Sequence, residues 1–194
     1  MKTMKLILVA LIALQISACA PLLIGGAATT GVIVAQDRRT AGTILNDQRT
    51  EVRVRNFIAQ DKGLSDHTRL KVNSYNGIVL ITGETASQLM ANQIINFAKA
   101  EPHVREVRNE LRIGALSDTA TRRSDFATGN RLRTRLTSNP DVKSLTVRFV
   151  VDQGTVYLMG LVTRAEAEQI VEATRTVDGV KRVVRMFEYV QPDP

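Results

Sequence analysis

The chain has 194 residues, a formal charge of +7, 44% apolar residues and 4% aromatics with no Trp, a globular composition whose core must rest on Val, Ile, Leu and Ala. One Cys excludes an internal disulfide framework and any multi-Cys metal or iron–sulfur site, and two His leave little for a metal centre or a catalytic triad. The charge admits nucleic acid or an anionic membrane as partner, and the N-terminus separates the two.

Met1 to Lys5 is a basic start, and Leu6 to Ile16 is an apolar run. That run is shorter than the ~20 residues a bilayer span needs and has the proportions of a secretory signal. It ends at Ile16-Ser17-Ala18-Cys19, small residues directly before the only Cys. This resembles the lipobox of bacterial lipoproteins, which implies cleavage after Ala18 and acylation of Cys19 by diacylglycerol and further chains of the palmitate kind. The plainer alternative is a free Cys buried at the end of an apolar segment.

Removing signal residues 1–18 leaves 176 residues, and the formal charge falls to +5 because Lys2 and Lys5 go with them. A secreted chain meets no chromosome, so nucleic acid is not expected as a partner. Several acyl chains together hold a protein firmly to a membrane. Ala20 stands where, under the Gram-negative sorting rule that the resemblance brings, Asp would retain the protein in the inner membrane. The outer membrane, facing the periplasm, is the expected location. Residues 19–45 read as the lipidated Cys and a tether. The apolar clusters Leu22-Leu23-Ile24 and Val32-Ile33-Val34 leave open a segment that hugs the membrane.

Beyond the tether the sequence is duplicated. Asn76-Gly77-Ile78-Val79-Leu80-Ile81-Thr82-Gly83 corresponds to Gln153-Gly154-Thr155-Val156-Tyr157-Leu158-Met159-Gly160, a shift of 77. Val54 and Ile58 answer to Leu132 and Leu136 at a shift of 78, and Val104 and Val107 to Val180 and Val183 at 76. Nearly constant offsets over a long stretch indicate a repeat. Residues 46–114 form the first unit, 115–123 the linker and 124–191 the second unit.

Each unit reads α-β-β-α-β. An amphipathic helix is expected near 48–60 and near 125–138. A hairpin follows, Leu70 to Tyr75 with Ile78 to Thr82 and Thr146 to Val151 with Thr155 to Met159. Asn76-Gly77 is a strong type I′ signal because both turn residues need positive φ; Asp152-Gln153-Gly154 is its looser equivalent. Capping boxes, Thr85-Ala-Ser-Gln88 and Thr163-Arg-Ala-Glu166, open a second helix. The closing strands, Val104 to Ile113 and Val180 to Val190, should run parallel through a right-handed crossover. The fold class is therefore α+β, with a mixed three-stranded sheet packed on two helices in each unit.

Hairpin, Gly, capped helix and a Val-x-x-Val entry into the last strand (Val104-Arg-Glu-Val107; Gly179-Val180-Lys-Arg-Val183) together resemble the BON domain. A lipobox followed by two such units is similar to the dual-BON outer-membrane lipoproteins. The resemblance covers essentially the whole chain. It implies binding of anionic, phosphatidylglycerol-like phospholipid through the first helix of the second unit, and support of outer-membrane integrity.

That helix supports the same reading from its residues. At about 100° per residue, Leu132 and Leu136 mark the buried stripe, while Phe126 and Arg133 lie roughly 100–120° away from it. Asn130, Thr134 and Thr137 continue the outer face, and Arg131 and Arg135 flank the stripe on its other side. The expected phospholipid-binding set is Phe126, Asn130, Arg131, Arg133, Thr134 and Thr137. In the first unit Gln48 stands where Phe126 would be, and residues 46–113 carry a net charge of +2 against +4 for residues 122–190. The family resemblance implies a Trp one position later, where this chain has Ala127. Phe126 packed against the linker or the other unit, with the Arg residues simply solvated, is the competing reading.

No phosphate loop, His-Glu-x-x-His or Gly-x-Ser-x-Gly motif is present, so neither an enzyme nor a cofactor or metal site is expected. His67 and His103 read as loop residues. An adaptor for envelope proteins, with the outer-membrane assembly machinery or a peptidoglycan-remodelling protein as partner, is the alternative function. The sheet faces away from the helices would then be its binding surface.

Overall fold

The computed structural model describes residues 37–139 and 147–191. The expected signal sequence, Cys19 and most of the tether lie outside the described residues. Both repeats belong to one compact unit, Arg39–Pro194. No helix among the described residues is long and apolar enough to cross a membrane.

In the first repeat Thr40 caps α1 (Ala41–Gln60) by accepting from the Thr43 amide at 3.1 Å. A four-residue α2 (Lys62–Ser65) leads into the antiparallel hairpin of β1 (Thr68–Tyr75) and β2 (Ile78–Thr85). Asn76 and Gly77 have φ of 52° and 77°, the left-handed pair that a two-residue type I′ turn requires. After α3 (Gln88–Ala100), β3 (Glu106–Ile113) returns parallel to β2 with Val107 opposite Val79.

The second repeat follows the same plan with α4 (Thr119–Thr137), β4 (Val147–Asp152), β5 (Thr155–Val162), α5 (Arg164–Arg175) and β6 (Arg182–Tyr189). Strand order is β1-β2-β3 and β4-β5-β6, and β6 runs parallel to β5. The turn at Gln153 and Gly154 has φ of 49° and 79°, so it matches the Asn-Gly turn closely.

Three local expectations differ: α1 starts at Ala41 and takes up the last five residues of the expected tether. Asp118 accepts from the Thr121 amide at 2.7 Å, so α4 starts at Thr119 and takes up the last five residues of the expected linker. The helix α3 is capped by Ser87, which accepts from the Met90 amide at 3.3 Å, rather than by Thr85. Thr85 instead pairs with Thr68 as the last residue of β2. At α5 the capping box forms as expected: Thr163 Oγ1 accepts from the Glu166 amide, and Glu166 Oε2 accepts from the Thr163 amide at 2.8 Å.

Each sheet packs its two helices on one face. Val54, Val79, Ile81 and Ile94 fill the first helix-side core, and Leu132, Leu136, Leu158 and Ile170 fill the second. The remaining two faces pack on each other. Tyr75 and Leu80 from the first sheet meet Val150, Tyr157 and Met159 from the second, edged by Ile78, Leu161, Val184 and Met186. The central strands β2 and β5 are therefore buried on both faces, which their unbroken apolar runs require. This corrects the expected adaptor surface: the sheet faces away from the helices are covered by one another.

Candidate lipid-binding face and the joint between the repeats

The first helix of each repeat is tied to its own hairpin by a buried Asp. Asp47 accepts from the backbone amides of Asn76 at 2.7 Å and Gly77 at 2.9 Å, and from Ser74 Oγ at 2.7 Å. Asp125 accepts in the same way from the amides of Gln153 at 2.9 Å and Gly154 at 3.0 Å. A tight turn leaves two amides pointing inward, and a charged acceptor on the helix satisfies both. The sequence reading missed this pair, although Asp47 and Asp125 stand 78 residues apart, the same offset that relates Val54 to Leu132.

Gly179 has φ +93°, and a Cβ there would lie 2.2 Å from Thr128 Oγ1, so the loop before β6 lies directly on α4. The matching position in the first repeat is His103, which holds φ 67°. His103 and His67 are both exposed loop residues, as expected.

The joint between the sheets carries charge around its apolar centre. Lys71 Nζ lies 3.4 Å from carboxylate oxygens of both Asp125 and Asp152 and donates to the Val151 carbonyl. Arg148 Nη1 lies 2.7 Å from Glu51 Oε1 and donates to the Ser74 carbonyl at 3.3 Å. Arg112 joins Glu84 to Asp152. Burial alone would raise the Glu84 carboxyl, but hydrogen bonds from Arg112 and the Ser117 amide outweigh it and hold Glu84 below its ordinary value. The Tyr157 hydroxyl donates to Glu110 at 3.1 Å; burial and that carboxylate push it up to about 12.

The expected lipid-binding residues all lie on α4. Phe126 is 72% exposed, so its ring is not packed against the linker or the other repeat. Asn130, Arg133, Thr134 and Thr137 share its exposed side. The two Thr hydroxyls turn back to the helix, Thr134 to the Asn130 carbonyl at 3.2 Å and Thr137 to the Arg133 carbonyl at 2.9 Å. Arg131 is set apart from this group. Its Nη1 donates to the Asp178 carbonyl at 2.9 Å and fastens α4 to the loop before β6. Arg133 lies over the Phe149 ring, 5.7 Å from its centroid, and among the described residues no carboxylate pairs with it. The described residues contain no group of His, Cys, Asp and Glu that could hold a metal ion.

Residues 46–115 and 124–191 each match the BON domain family. The chain is 30% identical over 190 residues to the outer membrane lipoprotein DolP of Haemophilus influenzae, covering 98% of this chain and 97% of that one. It is 31% identical over 155 residues to the 21 kDa hemolysin of Actinobacillus pleuropneumoniae, covering 80% of each chain. Similarity at 23% identity extends to the osmotically-inducible protein Y of Escherichia coli, over 80% of this chain. With both repeats matched and a relative aligned over nearly its whole length, the chain belongs to the BON-domain family as a tandem member similar to the lipoprotein DolP.

Proposed function

We propose that this is a non-enzymatic envelope lipoprotein. Signal residues 1–18 are removed, Cys19 is acylated, and the protein is held at the outer membrane facing the periplasm. The outer face of α4 binds anionic phospholipid there and so supports membrane integrity. The observation that carries this reading is Phe126, an aromatic ring 72% exposed on the same face as an Arg133 without a carboxylate partner among the described residues. An exposed ring gains by entering the acyl boundary while the guanidinium pairs with headgroup phosphate. The relation to DolP, whose name places it in the outer membrane, supports the location. The adaptor reading has lost the sheet faces it was expected to use.

The test is co-sedimentation of the mature chain, residues 19–194 with Cys19→Ser to remove the acyl anchor. Vesicles containing phosphatidylglycerol are compared with purely zwitterionic ones at low and high salt. Selective, salt-weakened binding that disappears in Phe126→Ala/Arg133→Glu is the expected result. Equal behaviour of both vesicle types, or unchanged binding of the double variant, would overturn the α4 site.

A further inference from the structure

A cavity of about 420 Å³ opens where β1 of the first repeat meets α4 and β4 of the second. Three guanidinium groups line it, those of Arg39, Arg133 and Arg148, with Asn73 and Tyr75 completing the polar wall. Val147 and Phe149 supply an apolar side, and among the described residues no carboxylate lines it. We infer that this cavity receives the phosphate of an anionic glycerophospholipid headgroup, so that the lipid site is built jointly by both BON domains. The inference rests on the lipid-binding reading above and deepens it.

Two of the three cations are held in place from behind. Arg39 lies 3.8 Å above the Tyr75 ring centroid and pairs with Asp47 at 2.8 Å. Arg148 is fixed by Glu51 and by the Ser74 carbonyl. Those carboxylates orient the guanidiniums without lining the cavity. Each guanidinium carries five N–H donors in a fixed fork, so one carboxylate and one carbonyl leave Arg148 with donors to spare. Arg133 adds the third cation from α4, next to the face that carries Phe126.

With Arg39 and Arg148 each compensated by one carboxylate, Arg133 is the cation without a carboxylate partner among the described residues, and a phosphate entering the cavity would pair with it while accepting charge-assisted hydrogen bonds from the remaining guanidinium donors. Arginine forks match phosphate oxygens in geometry as well as in charge. The volume falls within the roughly 300–1,000 Å³ of small-molecule sites, and the apolar side suits the glyceryl portion of a lipid. Arg39, Asn73 and Tyr75 come from the first repeat, and Arg133, Arg148 and Phe149 from the second. Neither repeat alone can form the site.

The experiment titrates the mature chain with Cys19→Ser against three soluble probes, following the amide resonances of Tyr75 and Phe149. The probes are monomeric short-chain phosphatidylglycerol, short-chain phosphatidylcholine and inorganic phosphate. Shifts with phosphatidylglycerol but not phosphatidylcholine are expected. Asn73→Asp, which adds a carboxylate to the wall and removes no side-chain hydrogen bond among the described residues, should weaken that binding at least fivefold. Arg133→Gln, on the exposed side of α4, should do the same without removing any ion pair of the joint among the described residues. Loss of vesicle binding in Phe126→Ala, alongside a native chain that shows no shift with any soluble probe, would leave the membrane face standing and overturn the cavity, which separates the two failures. Equal shifts at equal concentration with inorganic phosphate would support the phosphate pocket and assign it to free phosphate. No shift with any probe, or wild-type affinity in both Asn73→Asp and Arg133→Gln, would overturn it.

Discussion

Lys71 and Arg148 are counterparts, 77 residues apart, and each reaches across the joint to the other repeat. Lys71 donates to the carbonyl of Val151 and Arg148 to that of Ser74, two residues that are also 77 apart. The joint thus has an approximate two-fold relation that duplication has preserved in its chemistry while Lys and Arg exchanged. Lys71→Met would remove the cation from between Asp125 and Asp152. Because Lys71 is partly exposed, the expected loss is about 1–3 kcal/mol, read from urea unfolding with an unchanged slope. A loss below about 0.5 kcal/mol would show that solvent already screens the cluster.

Asp47 serves two turn amides, a Ser hydroxyl and Arg39 at once. In Asp47→Ala the buried amide of Gly77 loses its acceptor, so we expect destabilisation of at least about 2 kcal/mol. Hydrogen exchange at Asn76 and Gly77 should accelerate more than exchange in the second repeat. Uniform acceleration across both repeats would instead show that the pair unfolds as one unit.

Gly179 and His103 hold the same backbone position in the two repeats, yet they should respond oppositely to substitution. Gly179→Ala places a Cβ 2.2 Å from Thr128 Oγ1 in a left-handed conformation, with an expected cost of about 2–4 kcal/mol. His103→Gly removes the left-handed strain of a side chain but loosens the unfolded state, and should change stability by no more than about 1 kcal/mol. Thermal unfolding of the two variants checks the contrast.

Acid should weaken the joint through Glu84. Its carboxyl is held below its ordinary value in the folded chain, so the unfolded chain binds the proton more readily. The Glu84 contribution is therefore fully present above the unfolded value of 4.5 and is lost as pH falls below that through the lower folded value. Glu84→Gln should flatten the stability profile below pH 4.5 relative to the native chain. An unchanged profile would assign acid sensitivity to other carboxylates.

The order of elements could be read from the chain because local signals agree with it: Asn76-Gly77 demands its turn, and Thr163 with Glu166 makes its cap. At Thr85 the same cap motif misled, because β2 runs on past Gly83 and leaves the capping role to Ser87. The outward side of Phe126 also followed from helical periodicity alone. Asp47 and Asp125 did not stand out, since a single acid on a polar helix looks solvated until its hairpin is placed beside it. The pairing of the sheets had a trace in Ile78 to Ile81 and Val156 to Met159, runs too apolar for strands with one wet face. Which surface covered them depends on contacts across some 75 residues, and no local pattern encodes that.

The mutual covering of the two sheets also bears on how such a chain arose and how it fails. A solitary repeat would present the stripe around Tyr157, Met159 and Val150 to water, and its nearest complement would be an identical copy. An ancestral single unit therefore had reason to live as a homodimer, with gene duplication turning that association into an intramolecular one at high effective concentration. Truncation between the repeats, for example by proteolysis near Ser117, should release fragments that find each other again or aggregate.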